Sequence, residues 1–354
     1  MQAIVYTQYG SPDVLQLSEV ATPQPADGEV LVKVQATGLN AADRYALGGK
    51  PFIARLMTGG LRRPKRTILG ADVAGVVEAV GRGVTQFVPG DAVYGDLSGV
   101  GSGGLAEYVC APEGVWALKP EGINFEQAAA VPMAAVTALQ ALRDKGQLRP
   151  GQRLLIHGAS GGVGTFAVQI AKALGAQVTA VCSPRNADMA RALGADYVID
   201  YTRDDFAQSG ERYDIVLAVN GYRPLRDYQR ALAPGGVYVM VGGTMRQIFQ
   251  ALLLGPLLSR RGKVAAVTAK PNRADLAAVG QLLQAGQVRP VIDRCYPLSE
   301  AAEAFRYLER EHARGKVVIT VAGALAAPGA SPESESAAAE EPAQVMQFAM
   351  AQRL

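Results

Sequence analysis

From residue 154 onward, short apolar runs alternate with stretches in which apolar positions recur every three or four residues. The runs lie at 154–157, 178–181, 197–199, 215–219, 237–241 and 264–267, and the helical stretches between them include 164–174, 187–193 and 225–232. Six strands joined by helical crossovers predict a doubly wound parallel sheet of the α/β class. Residues 1–125 follow another rhythm, with short alternating strands at 29–34, 73–80, 91–94 and 106–110 broken by glycine turns. That pattern predicts a small β-barrel-like domain. Beyond the sheet, 275–283 and 299–308 have helical spacing. The run 316–321 reads as a strand with no further helix to place it in the parallel sheet, so it is expected to return to the first domain. The expected division is 1–126 with 271–322 as one domain, 127–270 as the inserted sheet domain and 323–354 as a tail. From Gly323 through Gln344 the composition falls into Ala, Pro, Ser and Glu, which reads as disordered, and 345–350 reads as a short docking helix or as nothing.

The first apolar run of the sheet stops on a glycine-rich turn, Gly158-Ala159-Ser160-Gly161-Gly162-Val163-Gly164, which opens a helix. A helix N-terminus presents unpaired N–H groups, and glycines let the backbone approach a pyrophosphate closely. Gly158 permits the tight turn, Gly164 lets helix and strand lie close, and Ser160, Gly161, Gly162 and Val163 are the expected cofactor contacts. An NAD site would place an acid about 20 residues further on, to hold the ribose hydroxyls. Here the second strand runs instead into Cys182-Ser183-Pro184-Arg185-Asn186. A hydroxyl and a guanidinium suit a 2′-phosphate, because the guanidinium fork donates two parallel charge-assisted bonds. This predicts NADPH, held by Ser183 and Arg185 with Tyr201 as a further contact. The alternative reading of Arg185 is a solvated loop arginine.

Composition narrows the function. With 354 residues the chain exceeds one ordinary core, and 49% hydrophobic with 19% charged residues is ordinary for a globular protein. A net charge of +3 gives no reason to expect a nucleic-acid partner. The three cysteines, Cys110, Cys182 and Cys295, have neither disulfide nor zinc-knot spacing. No secretion signal is expected from the first residues, and the longest apolar helical stretch, 248–258, is too short to span a bilayer, so a cytoplasmic protein is expected. Of the two histidines, His157 ends a buried strand and reads as a satisfied core residue, and His312 lies near the far end.

Five segments in order, Gly38-Leu39-Asn40-Ala41-Ala42-Asp43, Leu69 to Val77, Pro89-Gly90-Asp91-Ala92-Val93, Gly104-Leu105-Ala106-Glu107-Tyr108 and His157 to Gly164, resemble the medium-chain dehydrogenase/reductase superfamily. Within it the chain is similar to the zinc-independent quinone oxidoreductases, over about residues 1–322. The resemblance implies a GroES-like β-barrel catalytic domain beside a Rossmann NADP-binding domain. Zinc-dependent members hold their metal with a Cys, a His and a third ligand; this chain has Asn40 and Ala71 at the first two positions, so no metal is expected.

Without a Lewis acid, the remaining chemistry is hydride transfer to an acceptor already electrophilic, such as a quinone or an α,β-unsaturated carbonyl. The resemblance implies that Asn40 and Tyr45 line the pocket as catalytic residues, the amide donating to the acceptor oxygen and Tyr45 supplying a proton directly or through water. A turn role for Asn40 is the alternative. Asp43 is implied as an anchor, Thr137 as a contact to the nicotinamide ribose or amide, and Val241, Gly242 and Gly243 as the turn beneath the ring. Asn220 is placed at the ligand side of the sheet. Lys316 resembles a cofactor-touching lysine, a plain surface lysine being the other reading. The resemblance also implies that the strand at 263–267 lies at the sheet edge and pairs with its mate in a homodimer, the other reading being that Lys263 and Lys270 blunt the edge of a monomer.

Two segments depart from the small quinone reductases. Residues 44–66 contain seven basic residues and no acid, suiting a solvated loop, an anionic substrate tail or a membrane surface. The oily stretch 248–258 suggests a wall for a bulky apolar substrate, with dimer or core packing and then membrane contact as the other readings. Three functions stay open at this point: a reductase of quinones or enones, an enoyl-thioester reductase, and a non-catalytic NADPH-binding interaction protein.

Overall fold

The computed structural model describes residues 1–321 apart from 57, 220, 243–262 and 311–312, with the backbone alone at 53 and 56. Asn220, Gly243, His312, the stretch 248–258 and the tail therefore lie outside the described residues.

The N-terminal lobe begins with the antiparallel pair β1 (Gln2–Val5) and β2 (Gln16–Glu19). Its organising strand is β3 (Glu29–Leu39), which pairs along its length with β4 (Asp72–Val80). β4 in turn pairs with β5 (Ala92–Asp96). On its other side β3 is shared: Glu29–Lys33 pair with β6 (Tyr108–Pro112), while β7 (Trp116–Leu118) closes the far end on β5. The inward positions of these strands, among them Val30, Val32, Val34, Val73 and Val93, pack with Trp116 into one apolar core.

The second sheet is wholly parallel. It comprises β8 (Arg153–His157), β9 (Gln177–Cys182), β10 (Tyr197–Asp200), β11 (Tyr213–Val219), β12 (Leu232–Val241) and β13 (Lys263–Val267) in the order β10-β9-β8-β11-β12-β13. All six expected strands are present. Central strands of such a sheet are covered on both faces, which is why β8 is apolar without alternation, with Leu154, Leu155 and Ile156 fully buried. The order reverses between β8 and β11, so a crevice is expected beyond their carboxyl ends. The last two strands, β14 (Ile292–Pro297) and β15 (Lys316–Thr320), are parallel to each other, and β15 pairs antiparallel with the C-terminal half of β3, Val317 opposite Leu39. The chain thus returns to the first lobe.

Helix α1 (Ala41–Gly48) follows β3, and α2 (Phe125–Ala129) leads into α3 (Pro132–Gln140). α3 is buried at eight of its nine positions, because it lies against β4 and β5 on one side and packs on α4 (Gly162–Ala173) on the other. Sequence periodicity did not reveal it, since an alanine-rich helix buried all round has no polar stripe. Close approach here is forced at Gly38, where a β-carbon would stand 2.2 Å from the Ala129 carbonyl oxygen. α5 (Ala187–Ala192), α6 (Leu225–Arg230), α7 (Arg273–Gln284) and α8 (Ala301–Arg310) complete the described helices, each within a turn of its expected bounds.

β13 ends the described strand order, with Lys263 and Ala266 exposed. An edge of small and β-branched residues is a template for pairing. Light scattering at micromolar concentration is therefore expected to report twice the 37.1 kDa chain mass, and a monomer would refute edge pairing.

Candidate active site

The turn after β8 is built by its glycines. Gly158 has φ +84°, and a β-carbon there would lie 2.4 Å from the Val219 carbonyl oxygen. At Gly164 a β-carbon would meet the Gly158 carbonyl oxygen at 2.1 Å. Both close approaches fold the turn tightly under the N-terminus of α4. Thr165 N–H is bonded to Gly161 O, so the N–H groups of Gly162, Val163 and Gly164 form the first turn, whose donors have no partner within a helix. Space beside Gly161 is open, the nearest atom to a β-carbon being 3.9 Å away. A phosphate fits this cradle.

The returning strand comes to the same turn. Gly315 N–H donates to Ser160 O at 2.9 Å, and the stem of Lys316 lies against Gly162, 3.1 Å from where a β-carbon would be. Its ammonium then passes into the first lobe, donating to Asn40 Oδ1 at 2.6 Å and Asp72 Oδ2 at 3.1 Å. Asn40 Nδ2 donates to the same Asp72 oxygen at 3.0 Å and to Gly38 O at 3.3 Å. The other Asp72 oxygen accepts Met133 N–H at 2.9 Å, tying α3 to the group. Lys316 is 3% exposed and Asp72 not at all, so the plain surface reading of Lys316 is wrong. Both amide hydrogens of Asn40 are consumed by Gly38 and Asp72. Donation from this amide to an acceptor oxygen, as expected from sequence, does not occur in this arrangement; the side chain orients Lys316 instead.

Asp43 caps α1. Its carboxylate accepts Asn40 N–H at 2.9 Å and Gly70 N–H at 3.2 Å. Burial, with the charge of Asp72 nearby, pushes it up to about 6, against the lowering effect of the Asn40 N–H. Asp96, at the end of β5, accepts Ser98 N–H at 2.8 Å. Burial first and the Asp72 charge second raise it to about 7. Asp43 and Asp96 thus lie close enough to feel the Asp72 charge, and both hold protons more tightly than usual.

At the ends of β9 and β10 the structure places Ser183, half-buried, Arg185, exposed, and Tyr201, 48% exposed. Tyr201 N–H donates to Cys182 O at 3.4 Å, which brings the two strand ends together. Asn186 Nδ2 donates to Ser183 Oγ at 3.2 Å, and its buried Oδ1 has no partner among the described residues. The carboxylate of Asp200 is turned to Thr202, accepting its N–H and hydroxyl. A hydroxyl, a guanidinium and a phenol here fit a 2′-phosphate. Thr137 is buried in α3, Val241 is buried at the end of β12, and Gly242 is exposed with φ +65°. Tyr45 is half-buried on α1, with the Arg44 guanidinium 5.0 Å from its ring centroid.

His157 is a satisfied core residue, its Nδ1 3.0 Å from the Tyr228 hydroxyl, and burial lowers it to about 4. Exposed Tyr222 packs on it at 5.0 Å between ring centroids. Sequence reasoning missed Asp72 as a partner of Lys316, Met133 as its backbone donor, and Tyr222. Nothing in a single sequence links positions 72 and 316; only the burial of β4 could have suggested that Asp72 needed a cation.

Asn40 and Ala71 offer no thiolate or imidazole, and among the described residues no three His, Cys, Asp or Glu side chains are grouped to hold a metal ion. A phosphate cradle at the switch point of a parallel sheet, joined to a second antiparallel lobe, defines a nicotinamide-dependent oxidoreductase. Residues 26–121 match the alcohol dehydrogenase GroES-like domain, and 193–319 the zinc-binding dehydrogenase family. The chain is 34% identical over 331 residues to a chloroplast envelope quinone oxidoreductase homolog of Arabidopsis thaliana, covering 90% of this chain and 98% of that one. It is 34% identical over 330 residues to an NADPH-dependent alkenal/one oxidoreductase, chloroplastic, of the same plant, covering 90% and 79%. The solved quinone oxidoreductase of Coxiella burnetii superposes with a TM-score of 0.82 at 33% identity, covering 91% and 99%. The chain belongs to the medium-chain dehydrogenase/reductase superfamily, in its quinone oxidoreductase-like branch.

Removing the cation from the buried pair leaves Asp72 uncompensated. Lys316→Met is expected to cost about 3–5 kcal/mol in urea unfolding, and Lys316→Met with Asp72→Asn to recover part of it. Asp96 gives a pH test. Its raised value means that the unfolded chain releases this proton first. The stability of the wild type relative to Asp96→Asn should therefore fall as pH rises from the ordinary 3.8 to about 7 and level off above. A difference independent of pH would show that Asp96 gains no proton affinity on folding.

Proposed function

We propose that the protein is a zinc-independent reductase that uses NADPH to reduce a quinone or an α,β-unsaturated carbonyl. The observation that carries this reading is the Lys316–Asp72–Asn40 network, in which Asn40, at a position the resemblance gives to a zinc ligand, is bonded to a buried ammonium and a carboxylate. The similarity to a quinone oxidoreductase homolog and an alkenal/one oxidoreductase supports the acceptor class.

When bound, the nicotinamide supplies a hydride. The chain's own residues bind and orient: the N–H groups of Gly162 and Val163 take the pyrophosphate, Ser183, Arg185 and Tyr201 take the 2′-phosphate, and Thr137, Val241 and Gly242 border the nicotinamide. Asn40 holds the Lys316 ammonium in place between the two lobes. A quinone gains two electrons with the hydride and can take its second proton from water. An enone accepts hydride at the β-carbon and a proton at the α-carbon, with the developing oxyanion needing a donor; Tyr45 is the side chain we assign to it.

Binding titrations are expected to give NADPH at least tenfold higher affinity than NADH, about 1.4 kcal/mol, with Arg185→Ala erasing most of the difference. Steady-state NADPH oxidation against quinones, enones and 2-enoyl thioesters tests the acceptor. Turnover of quinones or enones, unchanged after prolonged chelation, is the expected result. Turnover of thioesters alone, or activity lost with stoichiometric zinc, would overturn the assignment.

A further inference from the structure

The basic segment 44–66 has no task in the reaction just described, and the structure shows that it is built rather than loose. Arg55 clamps it from within: Nε donates to Gly49 O at 3.2 Å and Nη1 to Leu61 O at 2.7 Å. The same guanidinium lies over the rings of Tyr9 and Phe52, 4.9 Å from each centroid. Tyr9 bonds through its hydroxyl to Thr58 and Gly60. Arg55 thus ties the ring of Phe52 and the main chain at Leu61 to one scaffold, and the two residues stand 62% and 53% exposed. Lys50, Arg62, Arg63 and Lys65 are exposed on the same segment, which holds no acidic residue.

Two exposed large apolar side chains on one clamped scaffold, accompanied by four cations, match a surface that is apolar below and anionic above. A soluble phosphate or a nucleic acid would engage the cations and leave Phe52 and Leu61 in water. With a net charge of only +3 over the whole chain, attraction to such a surface has to come from this local cluster.

We propose that residues 50–65 dock the protein on a phospholipid membrane bearing anionic headgroups. Phe52 and Leu61 enter the boundary between headgroups and acyl chains, and Lys50, Arg62, Arg63 and Lys65 pair with lipid phosphates. The purpose of the docking rests on the reductase reading. Thr58 and Arg66, from the same segment, line a small cavity with Asp43, Ala71, Ser98 and Ser102. An apolar quinone or enone dissolved in the bilayer would be presented beside that cavity.

The test is co-sedimentation of the full-length chain with vesicles of phosphatidylcholine alone or with about one third phosphatidylserine. Binding is expected only to the anionic vesicles, and about 0.5 M salt should weaken it strongly. Combined Lys50→Ala, Arg62→Ala, Arg63→Ala and Lys65→Ala should lower the partition coefficient at least about a hundredfold, and Phe52→Ser with Leu61→Ser about tenfold. Both variants should keep wild-type circular dichroism and reduce a water-soluble quinone normally in lipid-free buffer. Equal binding to neutral vesicles, full competition by millimolar glycerophosphoserine, or undiminished binding of the Phe52 and Leu61 variant would each overturn membrane docking. The lipid-free assay reports on the reductase reading by itself, so vesicle binding without quinone reduction refutes only that reading.

Discussion

A single buried ammonium organises the junction of this molecule. Lys316 sits where the returning strand touches both the glycine turn of the parallel sheet and the first lobe, and its charge can be buried only because Asp72 and Asn40 meet it. The same carboxylate that neutralises it also holds the start of α3 through Met133 N–H. One ion pair therefore fixes the mutual position of β4, β15, α3 and the phosphate cradle. Desolvation makes such a pair costly to build and more costly to break, so its value lies in specifying a geometry more than in net stability. Burial of two further carboxyls in the region, with the Asp72 charge beside them, raises their proton affinity.

Backbone proximity is the second constraint. Gly38 lets the α2 backbone rest on β3, and Gly158 with Gly164 folds the turn under α4. In each case the obstacle to a side chain is a main-chain carbonyl oxygen, which cannot move aside as a flexible side chain would. The turn is left with N–H groups that point outward at the head of a helix, a fixed array of partial positive charge suited to a pyrophosphate.

Much of the fold was legible because parallel strands buried on both faces leave uninterrupted apolar runs, and crossover helices leave a stripe. The six strands of the sheet and the return of 316–320 to the first lobe followed from those patterns. α3 did not, because Pro132 to Gln140 present almost no polar position to mark a solvent face. The candidate site divides in the same way. The phosphate cradle and the Ser183-Pro184-Arg185 loop are local in sequence and could be read there. The partnership of Asn40, Asp72 and Lys316 could not, since it joins residues as far as 276 positions apart. Asn40 was read as a catalytic residue, but an amide's neighbours decide whether its hydrogens face a ligand or the protein, and here they face the protein.

The pairing of β15 with β3 also bears on how the molecule is made. β3 leaves the ribosome with part of one edge, Ala36 to Leu39, awaiting a strand that follows it only after the whole parallel sheet. Between the two lies the whole parallel sheet, whose own contacts are complete without either partner. The inserted domain can fold while the first lobe is still missing a strand, and the N-terminal segment has to remain soluble through that interval, with an apolar edge at Ala36 to Leu39 uncovered. Such long-range closure is slow, and exposed strand edges invite association with other chains. Emergence of residue 320 from the ribosome is thus the point at which the lobe carrying Asn40 can first become a closed structure.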